Sequence, residues 1–109
     1  MKSYTDLEQS RKLAEFLPPE SADMSWVSNG LGKPFARTIS IKGDPEELCA
    51  CWSLAALLNM IPNYKLSSKH NYHTCTAETS FGKETVVWLD NPIDACVAMI
   101  EKLHELNLL

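Results

Sequence analysis

The residues with the most chemistry to offer are four cysteines, Cys49, Cys51, Cys75 and Cys96, and two histidines close in sequence, His70 and His73. Together they supply enough soft donors for a zinc ion. The spacing works against a zinc site. Cys49 and Cys51 have one residue between them, and on a helix they point about 200° apart. His73 and Cys75 are better placed, since residues two apart share one face of a strand. A nucleophilic thiolate is the other use of these groups, with Cys75 beside His73 or Cys96 after the helix start at Pro92. Cys96 lies one turn beyond the reach of the helix dipole, and no base is matched to either thiol by sequence. Reduced, buried thiols are the simpler reading. No catalytic, metal-binding or cofactor-binding residue is assigned.

Two further sets carry chemistry. Lys65, Lys69, His70, His73 and Lys83, with Tyr64 and Tyr72, make a polar patch with Cys75 beside it. Basic groups interleaved with aromatic ones suit an anion or a single nucleic-acid strand. The overall balance opposes that use: the formal net charge is −4 and the pI about 5.3, where a nucleic-acid binder shows a basic footprint. A solvated loop accounts for the same residues. Trp26, Trp52 and Trp88 are the second set, three tryptophans in 109 residues. They mark an interface with a protein partner if they lie outside, and a core if they lie inside. No glycine-rich phosphate loop, paired catalytic carboxylates or serine elbow is present.

The elements that must position these residues follow from periodicity and punctuation. Thr5 with Glu8 reads as a capping box opening a helix over 6–16, which Pro18-Pro19 ends. A hairpin follows, with strands over 24–28 and 35–41 joined through Asn29-Gly30 and Gly32. Phe35, Arg37, Ile39 and Ile41 fall on one face of the second strand. Gly43-Asp44-Pro45-Glu46-Glu47 reads as the start of a second helix that runs to Ile61, before Pro62. That helix is apolar on nearly every side, which requires neighbours on every side, from this chain or a second copy. Residues 63–71 read as a polar loop. A second hairpin spans 72–78 and 84–89, turning near Ser80-Phe81-Gly82-Lys83. Asn91-Pro92 opens a last helix with Ile93, Val97, Ile100 and Leu103 as its apolar stripe. The leucines at 106, 108 and 109 imply a docked terminus.

The expected fold is therefore a single α+β domain over 1–109 in the order α-ββ-α-ββ-α. Its simplest architecture is a four-stranded, largely antiparallel sheet with helices packed on one face. The echo between Asp44-Pro45 with Cys49 and Asn91-Pro92 with Cys96 is accounted for by common helix-start chemistry. Hydrophobic residues at 45% and charged residues at 22% belong to an ordered globular chain. No apolar run has the length of an export signal or a bilayer span, so the expected setting is cytoplasmic, without membrane association.

Several stretches resemble a family of small uncharacterised proteins of gut bacteria, often found near phage-like or mobile genetic regions. They are Tyr4-Thr5-Asp6-Leu7, Glu20-Ser21-Ala22-Asp23-Met24, Cys51-Trp52-Ser53-Leu54-Ala55-Ala56-Leu57-Leu58, and the end from Asn91-Pro92-Ile93-Asp94-Ala95-Cys96 to Leu106-Asn107-Leu108-Leu109. The resemblance implies a bacterial cytoplasmic setting and no particular activity. The function expected from the residues is a non-enzymatic protein-interaction module that self-associates or binds another protein. The alternative is a small enzyme or metal-dependent binder using His73, Cys75 and their neighbours.

Overall fold

A computed structural model describes residues 3–28, 33–38, 47–69, 72–88 and 91–109. The broad α+β class holds, with a different inventory of strands. Helix α1 (Leu7–Ala14) is followed by a short 3-10 turn at Pro19–Ser21. Then come β1 (Met24–Val27), β2 (Phe35–Arg37), β3 (Glu47–Cys51), α2 (Leu54–Asn59), β4 (Lys65–Lys69), β5 (Tyr72–Thr79), β6 (Gly82–Trp88) and α3 (Pro92–Glu105). The strands form two antiparallel three-stranded sheets, in the orders β2-β1-β3 and β4-β5-β6, instead of one sheet of four.

The largest correction falls on the helix expected over 46–61. Glu47–Cys51 is a strand paired with β1, with Ser25 opposite Ala50 and Met24 opposite Cys51. The helix begins only at Leu54. Ser53 caps it: its Oγ accepts from Ala56 N–H at 3.2 Å. Asp23 in turn accepts from the Ser53 N–H at 3.0 Å and from its hydroxyl. A strand partner for β1 therefore outweighs the helix propensity of Leu48 and Ala50. What remains as α2 is six residues long, with Ala56 and Leu57 buried and Ala55 exposed. The all-round apolar helix does not exist, and the need for a second copy to cover it disappears. The expected start signal at Gly43–Glu46, like Asn29–Gly32, Ile39, Ile41 and Leu89, lies outside the described residues.

The second correction is β4, expected as loop. It pairs with β5 along its whole length, from Lys65 opposite Thr76 to Lys69 opposite Tyr72. The hairpin β5–β6 has the expected position. It closes through Ser80-Phe81, with Thr79 opposite Gly82, and Gly82 at φ +124° takes a conformation that side chains oppose.

Helix α1 starts one residue later than expected. Asp6 is the cap: its side chain accepts from Gln9 N–H at 2.7 Å, and Gln9 Oε1 accepts from Asp6 N–H at 3.1 Å. Thr5 is released from capping for another task. It is fully buried. Its Oγ1 accepts from the Trp52 N–H at 3.1 Å and shares a 2.7 Å hydrogen bond with Ser10 Oγ. Its own N–H donates to Trp52 O at 2.9 Å. Trp26 Nε1–H adds a bond to Thr5 O at 3.1 Å.

Helix α3 matches the expectation. Asn91 Oδ1 accepts from Asp94 N–H at 3.0 Å, and Pro92 stands in the first turn. Ile93, Val97, Ile100 and Leu103 are all buried. The helix ends in a paired hydrogen-bond motif, Asn107 N–H to His104 O (3.0 Å) and Leu108 N–H to Leu103 O (2.8 Å), with Asn107 at φ +57°. The terminus docks through Leu108, which packs on the core, while Leu106 and Leu109 stay exposed. Helix α3 lies across β5 and β6 and also meets α2, and α1 packs on β3. The main core joins Leu13, Leu17, Trp52, Leu57 and Ile61 to Cys75, Ala77 and the inner face of α3.

Thr5→Val keeps the shape of the side chain but leaves the buried Trp52 N–H without its acceptor. An unsatisfied buried donor costs about 1–3 kcal/mol. Urea unfolding should show a loss of about that size for Thr5→Val and a smaller one for Thr5→Ser, which keeps the oxygen.

Candidate functional site

The pleat of the second sheet decides which of the candidate residues can act together. On β5, His73, Cys75 and Ala77 occupy the face covered by α3, and Tyr72, Thr74, Thr76 and Glu78 occupy the opposite one. The register carries that division to the neighbours. Lys65, Ser67 and Lys69 of β4 and Lys83, Thr85 and Val87 of β6 share the outer face. Leu66 and Val86 belong to the inner face and pack on the core.

The polar patch expected from sequence is therefore split. Lys65, Lys69, Lys83 and Tyr72 share the outer face, with Lys69 beside Tyr72 at one end of β5 and Lys83 beside Glu78 at the other. His73 and Cys75 face the other way, and His70 lies outside the described residues. On the outer face Glu78 stands opposite Lys83, so part of the positive charge is balanced locally. The rest of the face is hydroxyl-rich: Thr74 Oγ1 donates to Ser67 O at 3.5 Å, and Thr76 Oγ1 and Thr85 Oγ1 are 3.2 Å apart.

His73 and Cys75 share a strand face, as their spacing implies, but have separate partners. His73 Nδ1 is 2.7 Å from Ser68 Oγ on β4. Cys75 is fully buried in the same core as Cys96 of α3, which is also fully buried. The neighbouring Cys75 thiol is the main reason the Cys96 thiol is pushed up from its usual pKa, and burial adds to it. Cys51 is raised as well, chiefly by burial, with the hydrogen bond to Thr5 opposing. Three of the four thiols thus have no exposed surface, and no disulfide joins any pair. Among the described residues, no three histidine, cysteine or acidic side chains are grouped as a metal ion would require.

The tryptophans divide too. Trp52 is fully buried, with its Nε1–H donating to Ser21 Oγ at 3.0 Å, so it is a core residue and has no outer surface to offer a partner. Trp26 is half-buried and donates to Thr5 O and Ser10 Oγ, both at 3.1 Å. Its ring meets Tyr4 edge-on at 6.0 Å. Trp88 stands opposite His73 at the end of β6, where the backbone alone is described.

Among the described residues, the apolar groups most open to water lie instead on the β5–β6 hairpin. Phe81 at its turn is 84% exposed and Val87 on its outer face 56%. The sequence signal for Val87 was the run Thr85-Val86-Val87, whose alternation must send one valine outward. Among the described residues, no helix is long and apolar enough to cross a membrane. Comparisons with protein-family models, with curated proteins and with solved structures give no match.

The burial pattern makes a direct prediction for thiol chemistry. In native protein a thiol-reactive dye should label Cys49, which is half-buried, well ahead of the others. Cys51, Cys75 and Cys96 should react only at the rate of local or global unfolding. Fast labelling of Cys75, followed by mass spectrometry of its peptide, would contradict the buried pair.

Proposed function

We propose that the chain is a non-enzymatic protein-interaction module that associates with a second copy of itself, through the β4–β5–β6 sheet. The observation that carries this reading is the exposure of Phe81 and Val87 on one hairpin whose outer face no described element covers. Apolar side chains left in water are favourable to bury, at roughly 25 cal/mol per Å² of apolar area. The reading now rests on the hairpin. The all-round apolar helix that suggested association from sequence is replaced by a strand and a short helix, and the Trp52 side chain lies in the core.

The alternative of an enzyme or metal-dependent binder at His73 and Cys75 draws no support from the geometry. The two side chains have different partners, and Cys75 is sealed beneath α3.

Sedimentation velocity over a micromolar to millimolar range tests the proposal. The expected result is a concentration-dependent shift from one to two copies of the 12.2 kDa chain, weakened in a Phe81→Ser/Val87→Ser variant that unfolds in urea like the parent. A single copy at every concentration would overturn self-association.

A further inference from the structure

We infer that two copies join edge to edge through β6, antiparallel and centred on Thr85, so that the two sheets become one of six strands. This rests on the self-association proposed above and names its surface.

The choice of edge comes from comparing the free strands. In the second sheet β5 is central, and β4 and β6 each leave one edge without a strand among the described residues. Such an edge presents unpaired N–H and C=O groups and is a template for another strand. Strand β4 protects itself. Paired antiparallel with its own copy over its full length, it would set Lys65 opposite Lys69 twice, and like charges directly opposite are destabilising. In the first sheet, β2 has three residues, and β3 packs against α1.

Strand β6 has the opposite character. It is seven residues long and contains Thr85, Val86 and Val87, β-branched residues that favour strands. Full antiparallel overlap with its copy pairs Thr85 with Thr85, Glu84 with Val86 and Lys83 with Val87. No like charges are opposed. Glu84 already has a cation from its own chain, Lys102 Nζ at 3.0 Å, so a neutral cross-strand neighbour suits it. A two-fold axis perpendicular to the sheet keeps outer face with outer face. Val87, now open to water, would then lie along the aliphatic stem of the partner's Lys83. A one-residue slip would turn the partner's apolar face outward. Either two-residue slip, centred on Glu84 or on Val86, shortens the overlap of the seven-residue strands to about five, and the one centred on Glu84 also opposes two carboxylates.

The register gives a test by charge sign at an exposed position. Val87→Lys sets a lysine opposite Lys83 of the second copy, twice per dimer. It should raise the dissociation constant roughly tenfold. Val87→Glu sets a carboxylate opposite the same lysines and should leave the constant unchanged or lower it. Within one chain Val87 faces Thr74, which is neutral, so both variants keep the fold, as their urea unfolding will report. Hydrogen exchange is the second readout: β6 amides should gain protection as concentration rises. A dimer that responds equally to both variants, with β6 exchange independent of concentration, would overturn the edge pairing while leaving self-association intact. A chain that stays monomeric would overturn both.

Discussion

The structure depends on the hydrogen bonds that converge on Thr5. One buried threonine holds the chain before α1 to the chain after β3, through paired bonds with the backbone of Trp52. It also reaches α1 through Ser10 and β1 through the Trp26 indole. In a buried site such groups must find partners, and a network fully satisfied fixes one arrangement. Among the described residues, no buried side-chain polar atom lacks a partner. The node sets where β3 ends and where Trp52 enters the core. Ser53 then caps α2 with Asp23 behind it.

From that node the molecule builds outward in two layers of decision. The first sheet and α1 close around Trp26, Cys51 and Trp52. The second sheet receives α3 on its inner face, with Cys75, Ala77 and Val86 meeting Ile93, Cys96, Val97 and Ile100 in one core. Because α3 covers that face, the pleat sends Thr85 and Val87 to water on the other. The exposed face of the second sheet is thus a consequence of which face α3 takes.

Much of this was legible in the sequence where local chemistry and tertiary demand agree. Asn91-Pro92 opened α3 as read, and its stripe is buried. The turn at Ser80-Phe81 closed the second hairpin. Elsewhere tertiary pairing overrules local propensity. Leu48 to Cys51 carries helix-compatible residues, and only the need of β1 for a second neighbour makes them a strand. Ser53, a good cap in front of Leu54-Ala55-Ala56-Leu57-Leu58, was the available signal for the later start. Lys65–Lys69 lacks an apolar pattern because it is an edge strand with one face in water. For the candidate site, the grouping of His73 and Cys75 with Lys65 and Lys69 ignored the period of two that separates them.

The proposed self-association joins two copies of the second sheet edge to edge through β6. The most direct measurement is an isotope-filtered nuclear Overhauser experiment on a mixture of ¹³C-labelled and unlabelled protein. Contacts between the Thr85 protons of the two copies, with Lys83 to Val87 contacts flanking them, are the predicted result. Intermolecular contacts confined to other surfaces, or none at concentrations where two copies associate, would contradict it.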